Sequence, residues 1–340
     1  MRIKTVLEKS PHNLSDNTLV NKTVYESKQD FLISIIVPVF NASRWIERCF
    51  LSIAKQKYRN RNIECFFVDD FSQDDSAQIL QNLIDKYDGE IKFALIRQNK
   101  NCGAGECRNV GIRNSSGEYV VFVDADDEIP DNSLLILSGL AQKYKNVDIV
   151  QGQAQQIKID NGELVKTDYY DAFFEIFTFP EYTNKTAWIR KRMPFFNLNG
   201  YIPMTPWNKL IRRQFIVENN LYFSNIRSGQ DLLWNFFVSK YIKDIAFTAN
   251  FTYLVHREHI SVIAQKQRTP FNRILVVEEM LRNINMETFA DTLRTVEREL
   301  NIFVIPYMDE SGEFDDLRKR VQNIRDVVKQ GISEAAEFSQ

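Results

Sequence analysis

From residue 31 to residue 150, strand-forming runs alternate with helical ones, and this alternation limits the possible folds more than any other feature of the sequence. Ile33–Val37, Ile63–Val68, Ile91–Ile96 and Tyr119–Val123 read as strands, and Asp148–Val150 begins another. Between them lie helical patterns. Residues 43–56 place Trp45, Ile46, Cys49, Phe50, Ile53 and Ala54 on one face. A second helix is expected from Ser72, as its cap, to about Tyr87, then one over Gly103–Asn114 and one near 131–144. Such an order predicts βαβ units. The expected fold is α/β, a mostly parallel central sheet flanked by helices, with a Rossmann-like nucleotide-binding half.

Ligands of such sheets sit beyond the carboxyl ends of the strands. Three polar clusters fall at those ends: Pro38-Val39-Phe40-Asn41, Asp69-Asp70-Phe71-Ser72 and Asp124-Ala125-Asp126-Asp127. Each is a weak signal alone, but the topology brings all three to one edge. In the third, four acids crowd together where a buried strand ends, Asp124, Asp126, Asp127 and Glu128. Carboxylate-rich sites suit Mg²⁺ or Mn²⁺, which hold phosphates while a phosphate bond breaks. The plain alternative is that these acids cap the helix near 131 and face water.

Composition narrows the class. A net charge of −2 argues against a broad electrostatic nucleic-acid binder. The 3 His make a His-rich zinc site improbable, and the 4 Cys lack C-x-x-C spacing and read as reduced thiols of a cytoplasmic protein. The first 30 residues show no apolar signal-peptide core, and no run of about 18 apolar residues exists. Gly103-x-Gly105 is not a dinucleotide fingerprint, because the third glycine comes only at Gly111 and the segment follows the third strand.

Six stretches in order, "SIIVPVFN" (34–41), "FFVDDFSQDDS" (66–76), "NKNCGAGECRNVGI" (99–112), "YVVFVDADDEI" (119–129), "PWNKLIRR" (206–213) and "SGQDLLWNF" (228–236), resemble the inverting family 2 glycosyltransferases. The resemblance spans about residues 31–262. It implies a GT-A fold and a metal-dependent enzyme that moves a sugar from a nucleotide sugar, a UDP-sugar in the first instance, to a hydroxyl of a glycan or lipid-linked acceptor in surface polysaccharide synthesis. By the same resemblance Pro38, Val39 and Asn41 line the nucleotide pocket, Asp70 meets the base edge and Asp124 the ribose. Arg108 reaches the nucleotide, with Glu106 departing from the small residue usual two positions before it. Asp126 with Asp127 binds the Mn²⁺ or Mg²⁺ ion that bridges the diphosphate, and His256, Arg257 or His259 touches the diphosphate or metal. Asp231, in Gly229-Gln230-Asp231 where Gln replaces the usual Glu, is the catalytic base, with Glu258 the next acid in line. Trp207 and Asn208 line the acceptor site.

Each role has a plainer counterpart. Asp69 caps a turn, Arg108 is a solvated surface charge, Asp231 only complements a helix dipole, His256 is structural and Trp207 belongs to the core. Two rival functions follow: a Mg²⁺-dependent phosphohydrolase, which also places D-x-D after a strand, and a nucleotide-sugar-binding protein without turnover.

The segments divide as 1–30, an N-terminal extension; 31–150, the nucleotide-sugar half; 151–265, the acceptor half; and 266–340, a helical C-terminal appendage. Its apolar stripe, Ile274, Val277, Met280 and Leu281, predicts docking on the catalytic domain, on a second subunit of a homo-oligomer or peripherally on the inner face of the membrane. A solvated helical face is the simpler reading of the short basic run Arg318–Arg320. Asp309–Gly312 reads as a turn between helices.

Overall fold

The computed structural model describes residues 31–57, 62–160, 163–168, 182–184, 205–257, 270–283, 300–305 and 315–337, the pairs 4–5 and 23–24, and single positions between 293 and 299. The Asp309–Gly312 turn, His259, Glu258 and nearly all of the 1–30 extension lie outside the described residues, apart from two strands of two residues each, Lys4–Thr5 and Thr23–Val24. The chain divides into two compact units.

The first unit comprises Met1–Ala187, Pro206–Asn225 and Ile242–Glu258. Strands β1 (Phe31–Val39), β2 (Asn62–Asp69), β3 (Lys92–Arg97) and β4 (Tyr119–Phe122) alternate with helices α1 (Ile46–Ala54), α2 (Ser76–Lys86), α3 (Ala104–Asn114) and α4 (Ser133–Lys143). They are followed by β5 (Ile149–Asp160), β6 (Glu163–Asp168), β7 (Tyr182–Asn184), β8 (Lys209–Arg212), α5 (Arg213–Glu218) and, after a segment of the second unit, β9 (Asp244–His256). Among the described residues the sheet runs β3-β2-β1-β4-β8-β5-β9-β7, with β6 on β5. The first four strands are parallel. The later half is mixed, because β8 runs antiparallel to both β4 and β5.

Side-chain alternation explains how helices cover both faces. Ile63, Cys65 and Phe67 of β2 point into one core with Ile46, Cys49, Phe50 and Ile53 of α1, Leu80 of α2 and Leu134 of α4. Phe66 and Val68 point the other way and meet Cys107 and Val110 of α3. Buried on both sides, such strands read as near-continuous apolar runs. The order 3-2-1-4 puts a topological switch point between β1 and β4, where the crevice beyond the strand ends opens.

Helix α2 begins later than expected, at Ser76 rather than from Ser72. Ser72 instead accepts the Asn41 N–H on its Oγ at 3.0 Å and so joins two strand ends. Asp74, just before the N-cap Asp75, braces the start of the helix: its carboxylate accepts the Ser76 N–H at 3.0 Å, the Ser43 N–H at 2.9 Å and the Ser76 hydroxyl. Partial burial alone would raise this carboxyl, but the hydrogen bonds to its charged form outweigh that and hold it below the ordinary value. Asp74→Ala should therefore cost about 1 kcal/mol at pH 7. Because the folded group is the stronger acid, its contribution is complete above the ordinary carboxylate range and fades as pH falls through it. Urea midpoints of wild type and variant should differ at pH 7 and converge near the acid limit.

The second unit comprises Trp188–Thr205, Ile226–Tyr241 and His259–Gln340. Its described helices are α6 (Gln230–Tyr241), α7 (Pro270–Arg282), a short π-helical stretch (Leu300–Val304) and α8 (Asp315–Glu337). α6 thus joins the C-terminal helices rather than the 151–265 portion. Leu232, Leu233 and Phe236 of α6, Ile274, Val277 and Met280 of α7, and Leu317, Val321, Ile324 and Val328 of α8 form one core. The apolar stripe expected to dock elsewhere is used within this unit, since each helix buries its stripe against the others. Arg320 adds a two-pronged pair to Glu278, at 2.8 and 2.9 Å. No described helix is long and apolar enough to cross a membrane.

Candidate active site

The parallel register brings the predicted clusters to the same edge. Val39 pairs with Asp69, and Ile36 with Phe122, so β1, β2 and β4 end side by side. Two residues there adopt the left-handed region, Asn41 at φ 49° and Phe71 at φ 64°, which is uncommon without glycine. Their turns brace each other. The Gln73 N–H donates to Asn41 Oδ1 at 2.8 Å, and the Asp70 N–H donates to the Val39 carbonyl at 2.8 Å. The result exposes two aromatic rings, Phe40 and Phe71, at 49% and 44%. The side chains of Pro38 and Val39 are buried, so only their backbone and Asn41 face the edge.

Asp70 is buried, and its two oxygens accept the Cys102 and Gly103 N–H groups at 2.7 Å each. Gly103 sits at φ 92°, a conformation open to glycine, and from it α3 starts. Asp70 therefore fixes the loop that carries α3 to the site. Asp69 takes the plainer role: it is fully buried, accepts the Ser72 N–H at 3.3 Å and pairs with Arg97 at 3.2 Å.

The acid cluster is a tight turn. Ala125 and Asp126 form its corner, closed by the Asp127 N–H on the Asp124 carbonyl at 3.1 Å. Much of the charge repulsion is met by the protein's own groups. Arg108, expected at the nucleotide or in solvent, is 3% exposed and pairs with Asp124 Oδ1 at 2.8 Å. The guanidinium lies over the Phe223 ring, 5.2 Å from its centre. Phe223 is held there by two hydrogen bonds between its backbone and the Asn109 side chain, at 2.8 and 2.9 Å. Arg48 of α1 donates to the Asp126 carbonyl at 2.8 Å and stands 3.8 Å from Glu128. His256 Nε2 lies 2.5 Å from Glu128 Oε2, and this bond, against partial burial and with Arg48 helping, holds the Glu128 carboxyl below its ordinary value.

Asp127 and His256 depart from the roles expected for metal ligands. Asp127 is 4% exposed and accepts the Tyr253 hydroxyl and the His256 N–H, both at 2.9 Å. Burial, reinforced by Asp126 and Asp124, pushes its carboxyl well above the usual range. The Tyr253 hydroxyl also accepts the Asp124 N–H at 2.9 Å, so one residue of β9 ties both ends of the turn. His256 spends its Nε2 on Glu128 and is buried. Asp126 and Asp124 remain half-buried. Among the described residues no group of three or more His, Cys, Asp or Glu has the arrangement of a metal cage.

Trp207 and Asn208, expected to line an acceptor site, are both buried. Trp207 stacks on Tyr253, centres 4.5 Å apart and planes 11° from parallel. Asn208, at φ 56°, donates its amide to the Gly152 carbonyl at 2.9 Å and turns the chain into β8. Both hold the sheet beneath the acid turn. Asp231 lies in the first turn of α6, in the second unit. The residues that sequence reasoning missed are Arg48, Tyr253 and Phe223. Arg48 and Phe223 carry no motif, Tyr253 opens a stretch that pointed only to His256, Arg257 and His259, and only the tertiary fold brings the three to the turn.

A model described as glycosyl transferase family 2 matches residues 34–216. Glycosyltransferase GlyG of Streptococcus pneumoniae is 31% identical over 204 residues, 59% of this chain and 62% of that protein. The cholesterol galactosyltransferase of Borreliella burgdorferi is 26% identical over 237 residues, 66% of this chain and 59% of that protein. The matched region thus spans about three-fifths of the length of these curated relatives. The crystal structure of Staphylococcus aureus TarS 1-349 in complex with UDP-GlcNAc shares the fold, with a TM-score of 0.64 at 20% identity over 88% of this chain and 81% of that one. This likeness identifies the architecture as the GT-A type. The family match covers more than half of the chain and contains all three strand-end clusters, so the chain belongs to glycosyl transferase family 2.

Proposed function

We propose that the chain is an inverting glycosyltransferase that takes a nucleoside diphosphate sugar, a UDP-sugar, as donor and a hydroxyl of a glycan or lipid-linked acceptor in surface polysaccharide synthesis as nucleophile. The observation that carries this reading is the meeting, at one sheet edge, of the Asn41 turn, the Asp70-held Cys102–Gly103 loop and the Asp124–Asp127 turn. The TarS structure of like fold was solved with UDP-GlcNAc, which supports the choice of donor.

In this reading the Asn41 and Phe71 turns, with their exposed Phe40 ring, receive the base. The Asp124–Asp127 turn faces the ribose and diphosphate. A carboxylate is a poor neighbour for phosphate unless a cation lies between them. Mg²⁺ and Mn²⁺ take one or two carboxylates and complete their shells with water and substrate phosphate, which fits a site where Asp126 at the corner is half-exposed while Asp127 and His256 are engaged elsewhere. Held by Asp126, such an ion would offset the charge of the leaving diphosphate. Arg108 and Arg48 keep the turn in shape. Asp231 takes the proton of the acceptor hydroxyl as it attacks the anomeric carbon from the face opposite the diphosphate, so the configuration inverts.

The two rivals make different products. Incubation with radiolabelled UDP-glucose, UDP-galactose and UDP-GlcNAc, with Mn²⁺ and cell-envelope extract as acceptor source, should yield free UDP and label in a glycan or lipid fraction. Release of inorganic phosphate instead would mark a phosphohydrolase. Donor-induced thermal stabilisation without any turnover would mark a binding protein.

A further inference from the structure

We infer that Arg273, clamped by the buried Glu299, is a positioning residue for the turn that presents Asp231; the inference rests on the assignment of Asp231 as the base. Arg273 lies on α7, and its Nη1 stands 3.0 Å from Glu299 Oε2. Glu299 is 2% exposed and the Arg273 side chain 16%, so the carboxylate is buried and its partner only partly open to water. Such a pair is a weak contributor to stability, because its desolvation cost rivals its attraction, and a well-packed apolar replacement is often as stable or more so. Its place in the molecule supplies another use.

The guanidinium lies against Gly229. A side-chain carbon at that position would come within 3.0 Å of Arg273 Nη1 and 3.2 Å of its Cδ, with Val276 also at 3.2 Å. Gly229 holds φ 81°, where any other residue is strained, and its carbonyl accepts the first helical N–H of α6, from Leu233, at 3.1 Å. Asp231 is two residues further on, in the first turn. The turn that aims the base is therefore a glycine in a conformation other residues avoid, set against a side chain that is itself paired to a buried carboxylate.

A pair that only held helices together would be replaceable by apolar side chains. A pair that aims a base would not, since small misplacement of a reacting group is costly to rate. The test is the double variant Arg273→Met/Glu299→Leu in the full chain, which removes both charges and leaves no unpaired one. It should melt within a few degrees of wild type, and UDP should bind it with unchanged affinity. Amide exchange over residues 227–233 should quicken at least tenfold, and UDP release from UDP-glucose or UDP-GlcNAc should fall by on the order of tenfold or more in kcat with little change in donor KM. Arg273→Lys should recover part of the lost protection. Exchange at 227–233 equal to wild type in the double variant would overturn the inference, as would turnover within twofold in that variant when Asp231→Asn is inactive. If Asp231→Asn retains turnover while the double variant loosens the turn, the base assignment fails and the clamp stands. If Asp231→Asn is inactive and the double variant is not, the clamp alone fails.

Discussion

Asp231→Asn should lower turnover by about 10² to 10⁴ while leaving the fold and donor affinity intact. Asn is nearly the same size as Asp and still suits the first turn of α6, so Tm should change little. UDP is assigned to the strand ends of the first unit, and none of those residues is altered. What is lost is the acceptance of a proton from a sugar hydroxyl, a poor nucleophile until that proton leaves, and general base catalysis is worth roughly that range. If Asp231 served only the helix dipole, the variant would lose about 0.3–1 kcal/mol of stability and keep its turnover per folded molecule. Turnover and UDP-sugar affinity measured on one folded sample separate the two. Activity within a few-fold of wild type would remove Asp231 from the mechanism.

The neighbours Asp126 and Asp127 should respond in opposite ways to alanine. Asp127→Ala leaves the Tyr253 hydroxyl and the His256 N–H without their buried acceptor, so stability should fall by about 2–4 kcal/mol. Asp126→Ala removes a half-exposed carboxylate from a crowded turn, so the protein alone should be as stable as wild type or slightly more so. Its defect should appear in UDP binding: affinity that rises with Mn²⁺ and falls with a chelator in wild type should become indifferent to both. Calorimetric titration with UDP, with and without Mn²⁺, together with urea melts of each variant, reads both effects. Wild-type affinity for UDP that ignores the chelator would exclude the ion. A stable Asp127→Ala protein lacking only Mn²⁺-dependent binding would return Asp127 to the ligand set.

The roles of these two acids show where sequence reading stops. In "DADDE" both are the same residue type, one position apart, and the family resemblance offered Asp127 beside Asp126 as a ligand. The structure separates them through residues more than a hundred positions away, because Tyr253 and the His256 backbone meet one carboxylate and not the other. Arg108 was visible as part of a helical segment, but its partners were not: Asp124 lies across the next strand and Phe223 more than a hundred residues downstream. Trp207 and Asn208 stood in a recognisable stretch, yet burial moved them from the acceptor site into the support of the sheet. Ser72 does not cap a helix, because α2 begins only at Ser76, and its hydroxyl serves the Asn41 turn.

The parallel half of the sheet, its four helices and the edge where the polar clusters gather were legible in the linear pattern. Period and strand-end chemistry are local properties, and a short aromatic-rich run such as "IECFFVDD", between helical patterns, reads as a buried strand ending in acids. The resemblance of six ordered stretches added the family. Two things were decided only by the tertiary structure. One is the antiparallel insertion of β8 between β4 and β5, which requires a long-range pairing that no local period encodes. The other is the division of labour within the acid cluster, since the charge state and freedom of a carboxylate are set by the partners and the burial that the completed fold provides.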